Sequence, residues 1–188
     1  MGAPLTIPRR ALTVNEYHKM GEAGVLKEND RIELIEGELI EMAPIGGRHL
    51  QLVNIVTEIL VLAVKGKAVV STQNPILLPP HNEPQPDIVL LAPELKYRQV
   101  VPTVEDILLV IEVADATLIY DRDTKVPIYA RHGIREAWLL DAANKKTFIF
   151  LDPGPQGYRQ MKSPNNDETI SPSLLPWVRI RLSDIWRP

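Results

Sequence analysis

Residues 108–111, Leu-Leu-Val-Ile, offer no polar side: however the chain is laid, both faces are apolar. A short run of that kind is a strand covered on both faces rather than half of a surface sheet. The run "IVLL" at 88–91 has the same character. Two such strands need layers on either side, which narrows the fold to a central sheet in a mixed α/β domain. Yet the first run continues straight into a carboxylate, Glu112, within "LLVIEVADAT". A buried carboxylate left unpaired costs roughly several kcal/mol, so Glu112 must face a cation, a metal or a proton.

The remaining segments fall around those strands. In "LTVNEYHKM", Thr13 is followed three positions on by Glu16, the signature of a capped helix start. "RIELIEGELIEMAP" reads as a hairpin hinged at Glu36–Gly37. "HLQLVNIVTEILVLAV" predicts a long helix, with Leu52, Val56, Ile59 and Ala63 on one stripe and Leu60 and Leu62 widening it. Such a helix is expected between the sheet and another surface. Residues 68–79 suggest a strand bent near Pro75, and "ELKYRQVVPTVED" a loop before the Glu112 strand. "YDRDTKVPIYARHG" reads as a helix with Asp123 as N-cap, Pro127 in its first turn and Gly133 at its end. "REAWLLD" and "KTFIFLD" follow as strands around a turn at 142–146, and the Pro-, Asn- and Ser-rich tail predicts loops with one or two edge strands. The expectation is one domain over 1–188, its core at about 10–152, with the tail 153–188 docked on it.

Composition removes several classes of function. With no cysteine, the chain has no disulfide framework, thiolate metal site or cysteine nucleophile. A net charge of -3 gives no overall sign of a nucleic-acid partner, although a local cationic groove can sit on an acidic protein. "MGAPLTIPRRAL" lacks the apolar centre of a leader peptide, and the apolar stretch around Ile59–Val64 falls short of the roughly 20 residues that cross a bilayer. The cytoplasm is the expected compartment. Phosphate-loop, nucleophile-elbow and zinc-helix motifs are missing, and the four histidines lack ligand spacing.

Acids at strand ends remain. Asp87, between Pro86 and the Ile88–Leu91 run, guards the mouth of one buried strand, and Glu112 ends the other. Carboxylates on neighbouring strands can converge, and oxygen donors of that kind suit Mg²⁺ or Mn²⁺. Lys125 opens the following helix, which can bring its ammonium back over both. Plainer roles exist for each: Asp87 as a turn residue, Glu112 paired with a buried cation, Lys125 in solvent. Arg131, Arg135, Lys145 and Lys146 are candidate phosphate contacts or simply solvated cations.

The order Pro86–Asp87, then an acid in "IEV", resembles the PD-(D/E)XK nuclease superfamily, with its restriction-endonuclease-like fold. That pattern places a lysine two residues after the second acid, where this chain has Ala114. The combination "PDIVLL", "VIEVADAT" and "YDRDTKVPIYARHGIREAWLLD", with "LTVNEYHKM" and "RIELIEGELIEMAP", is similar to the Uma-type restriction endonucleases as far as about Asp152. In that branch the lysine has moved onto the next helix, which gives its role to Lys125. The resemblance implies an α/β domain, a central mixed sheet flanked by helices with an N-terminal helix and hairpin. It also implies Mg²⁺ or Mn²⁺ held by Asp87, Glu112 and the Val113 carbonyl, with Lys125 orienting or deprotonating the attacking water. Glu33 and His49 match further marked positions, as additional ligands or supports. The implied activity is metal-dependent hydrolysis of DNA, with a homodimer expected by analogy with the cutting of paired strands. The rivals are an inactive binding or assembly module, with its carboxylates neutralised by salt bridges, and a glycosidase using Asp87 and Glu112 as its acid pair.

Overall fold

The computed structural model describes residues 9–27 and 29–186. The stretch read above for a leader peptide lies, through residue 8, outside the described residues. Among the described residues, α1 (Val14–Glu22), the hairpin β1 (Ile32–Ile35) and β2 (Glu38–Glu41), and α2 (Gly47–Val64) come first. Next are β3 (Val69–Thr72), β4 (Ile88–Leu91) and β5 (Ile107–Ala114), then α3 (Leu118–Tyr120) and α4 (Val126–Arg131). The chain closes with β6 (Glu136–Asp141), β7 (Lys146–Gly154), β8 (Gly157–Lys162), β9 (Thr169–Ile170), β10 (Ile180–Arg181) and α5 (Leu182–Ile185).

Six strands form one mixed sheet in the order β3-β4-β5-β6-β7-β8. Within it β5 and β6 run parallel, so a crossover through α3 and α4 must join them. Side chains alternate across the sheet. Ile88, Leu90, Leu109, Ile111 and Val113 pack on one side with Leu52, Val56 and Leu60 of α2. Val89, Leu91, Val110 and Ala114 pack on the other with Val126, Ile128 and Tyr129 of α4. Glu112 shares the parity of Val110 and Ala114, and therefore faces the crossover helix. The two apolar runs are buried on both faces, and the sheet is flanked by helices as expected.

Several boundaries differ from the sequence expectation. The strand before Pro75 ends at Thr72, because Gln73 adopts a left-handed φ of 52° and turns the chain out of the sheet. On α2, Leu62 does not widen the buried stripe: it is 67% exposed, with Leu50 and Val61 also outward. By length and composition alone α2 could cross a membrane, but Leu52, Val53, Val56, Leu60 and Val64 are buried against the sheet and the tail. The tail supplies three strands rather than one or two: β8 completes the sheet edge, and β9 pairs with β10. Leu175, Val178, Ile180, Leu182, Ile185 and Trp186 join the same apolar cluster as α2. Buried Glu136 ties this tail down, accepting from the Trp138 indole at 2.5 Å and the Ser173 N–H at 2.6 Å.

The crossover helix begins earlier than expected. Asp123 is not its N-cap but an exposed residue paired with Arg122 at 2.7 Å, and helical backbone starts at Leu118. Pro127 therefore lies inside the rod, where a missing N–H would normally break it. Just before it, Asp121–Lys125 form a π turn, with the Val126 N–H reaching back to the Asp121 carbonyl. The wider turn re-aims the side chains that precede the proline. Gly133 ends the helix at φ 85°, as expected. The capping box at Thr13 and Glu16 also forms.

Candidate active site

The site lies where β4 begins and β5 ends. Ile88 is opposite Ile111, so Asp87 and Glu112 occupy the next cross-strand position. The Val113 N–H donates to Asp87 Oδ2 at 2.9 Å, and the Asp87 N–H approaches Glu112 Oε2 at 3.4 Å. A strand residue directs its N–H and C=O to the same edge. The Val113 carbonyl therefore opens toward Asp87, past the start of β4. His49, in the first turn of α2, places Nε2 2.9 Å from Asp87 Oδ1. The Gln73 N–H secures the Asp87 backbone carbonyl at 3.0 Å.

From the crossover helix, Lys125 Nζ comes within 2.9 Å of Glu112 Oε1. The hydroxyl of Tyr129, one turn further, donates to the same oxygen. The hairpin closes the other flank: Glu33 Oε2 is 3.4 Å from Lys125 Nζ and accepts the Gln85 N–H at 3.1 Å. Gly37 lets the hairpin sit this close to the chain before α1. Its φ is 79°, and a Cβ there would lie 2.5 Å from that of Ala11. Glu112, Glu33 and Lys125 are 2%, 3% and 5% exposed.

Asp87, Glu112, Val113, Lys125, Glu33 and His49 thus converge on one cavity of about 390 Å³. Three residues that the sequence pattern did not single out complete the site. Asp121 is buried and accepts from Thr117 Oγ1 at 2.6 Å. Tyr129 bonds Glu112, and Tyr120 lines the cavity with a buried hydroxyl that has no hydrogen-bond partner among the described residues. The signal that would have found two of them is spacing. Asp121 and Tyr129 stand four residues before and after Lys125, on one helical face. Of the other candidate phosphate contacts, Lys145 and Lys146 sit where β6 turns into β7, at the end of the sheet where Glu112 lies. Arg135 precedes β6 at the opposite end, and Arg131 pairs with Glu36.

Burial sets the protonation of this cluster. It pushes the Glu112 carboxyl up to about 8, with Lys125 opposing and the charges of Asp87 and Asp121 adding to the push. Burial likewise raises Asp121 against the pull of Lys125. Lys125 is pulled down by its own burial, but Glu112, Glu33 and Asp121 outweigh that and hold it protonated above the ordinary lysine value. The hydrogen bond to Asp87 raises His49. The arrangement is a pair of strand carboxylates with a fixed cation beside them and a carbonyl opening on the same edge.

Comparison with known proteins agrees with this architecture. A family model described as Uma2, "Putative restriction endonuclease", matches residues 14–183. The crystal structure of "a putative nuclease belonging to DUF820" from Anabaena variabilis superposes with a TM-score of 0.74 at 19% sequence identity, covering 93% of this chain and 97% of that one. No curated protein matches the chain. The chain belongs to the Uma2 family of restriction-endonuclease-like proteins.

Proposed function

We propose that this protein is a divalent-metal-dependent endonuclease that hydrolyses phosphodiester bonds in DNA. The observation that carries the reading is the position of Lys125. Its ammonium reaches Glu112 from the crossover helix at 2.9 Å, while Ala114, where the wider superfamily pattern has its lysine, is fully buried in the core. Lys125 thus brings from the crossover helix the charge that the superfamily pattern places on the strand.

The donors fit a hard divalent ion. Asp87, Glu112 and the Val113 carbonyl would hold Mg²⁺ or Mn²⁺, all three through oxygen. Among the described residues no three His, Asp or Glu side chains form a metal-holding group, so an all-protein cage is not on offer. Mg²⁺ is commonly held by one or two carboxylates with waters and substrate phosphate completing its shell. Such an ion, when bound, polarises a phosphoryl oxygen and acidifies bound water. The protein's own groups do the rest. Lys125, held protonated, acts as a fixed positive charge for the developing phosphorane and orients the attacking water; a lysine so strongly charged is a poor base. Glu33 grips Lys125 from the hairpin side, and His49 orients Asp87.

One observation favours the inactive-module reading. His49, the Val113 N–H, Lys125 and Tyr129 already engage the oxygens of the two acids. Calorimetric titration of Mn²⁺ into the wild type, Glu112→Gln and Lys125→Ala, with DNA cleavage scored in the same samples, separates the two. The nuclease reading expects saturable binding lost in Glu112→Gln, and cleavage lost in both variants. No binding to the wild type would overturn it in favour of the module.

A further inference from the structure

Resting on the nuclease reading, we infer that the strand this site takes is unpaired, a single-stranded or unstacked segment rather than a continuous duplex. The reactive groups lie at the bottom of a cavity of about 390 Å³, within the roughly 300–1,000 Å³ range of sites that hold one small ligand. That volume admits one nucleotide, base included, whereas a duplex could offer it only a backbone phosphate.

The walls point the same way. One side is apolar: Ile40 on β2, then Met42, Pro44 and Ile45 in the segment leading to α2. Ile45 is 41% exposed. A duplex hides its base faces in the stack and presents sugar, phosphate and base edges, which offer these side chains little beyond the thymine methyl. An unpaired strand presents base faces, and apolar or aromatic side chains bind them without regard to sequence. Tyr120 adds an aromatic ring to the same lining.

Charge agrees. Glu41 and Asp115 join the four carboxylates already described around the cavity, whereas the lysines and arginines lining it are Arg31 and the engaged Lys125. Arg48, at the start of α2, is tied to Asp115 at 2.8 Å. Duplex DNA carries one negative charge per about 1.7 Å and is gripped by banks of free cations; a single strand has half that linear density. A mouth so acidic tolerates the sparser charge and must gain affinity from stacking.

The test uses the full chain with Mn²⁺. A labelled oligonucleotide, single-stranded or annealed to its complement, is followed by fluorescence anisotropy and by cleavage, in wild type and Ile45→Ser. Calorimetric Mn²⁺ binding serves as the check that each protein holds an intact site. The inference expects the single strand to be bound and cut at least about tenfold better than the duplex, and Ile45→Ser to shrink that ratio. Equal use of both forms, or a preference for duplex, overturns the inference and leaves the nuclease reading standing. Binding of neither form despite Mn²⁺ uptake overturns both.

Discussion

Lys125 and Tyr129 stand one helical turn apart and meet the same atom, Oε1 of Glu112. A single carboxylate oxygen therefore receives an ammonium and a phenol, both buried. Removing the ammonium breaks its buried contacts with both Glu112 and Glu33, a loss worth about 3–5 kcal/mol for a broken buried pair. Lys125→Ala should melt well below wild type in chelator and recover a substantial part of that loss in Mg²⁺, which would supply the missing positive charge. Thermal melts with and without the ion check this, and a variant indifferent to Mg²⁺ would refute it.

Tyr129→Phe removes only the phenol. It should cost about 1–3 kcal/mol, as for a buried hydrogen bond to a charged or polar partner. Cleavage should decline far less than in Lys125→Ala, since the phenol positions Glu112 and does not touch the substrate. Urea unfolding beside a cleavage assay separates the two quantities.

Acidity supplies a third prediction. The folded Glu112 carboxyl titrates near 8 against an ordinary value of 4.5, so between those limits the folded state holds a proton that the unfolded chain has released. Asp121 and His49 are also raised and act in the same direction. The contribution to stability is complete below about pH 4.5 and disappears as pH rises through about 8. Metal-free protein should lose that stabilisation over this window. Added Mn²⁺, which competes with the proton, should stabilise it increasingly over the same range. Melting temperatures across pH in chelator and in Mn²⁺ would expose an opposite slope.

Asp121 and Asp123 are two residues apart and sit in opposite surroundings. The first is buried beside Lys125, and the second has a side chain 53% exposed and paired with Arg122. Asp123→Ala should change stability by less than about 0.5 kcal/mol and leave cleavage intact. Asp121→Ala should impair cleavage, because Lys125 loses one of the three acids that hold its charge. Equal activity in both variants would remove Asp121 from the site.

The tail should prove integral to the fold. Leu182 is fully buried with the α2 cluster, so Leu182→Ala is expected to cost about 2–5 kcal/mol. Chemical denaturation measures it directly.

What the sequence disclosed follows from what kind of signal each feature leaves. β4 and β5 were readable because a short run that is apolar on both faces has little choice but to lie inside a sheet. Asp87 and Glu112 were readable because acids seldom border such runs. Lys125 was placed through family resemblance. Spacing alone allowed a solvent-facing residue. The π turn left no local trace, since Pro127 fits a first turn as well as a widened one, and Asp123 looked like a cap beside it. Tyr129 reads as ordinary core until its four-residue spacing from Lys125 is weighed. β8 escaped because Gly157–Lys162 is polar and largely exposed, as suits a sheet edge. Leu62 shows the opposite failure: an apolar residue on a helix whose buried face was already filled.

The antiparallel pairing of β4 with β5 has a bearing on folding itself. Asp87 on one side and Glu112 with Val113 on the other meet only across that pairing, and Lys125 and Glu33 reach them from the crossover helix and a distant hairpin, so a place for the proposed ion exists only once the strands are joined. A ligand held only by the native state adds RT ln(1 + [L]/Kd) to its stability. Magnesium would then act as a thermodynamic clasp: its concentration would govern how firmly the sheet stays shut, and its affinity would vanish in one step with global unfolding.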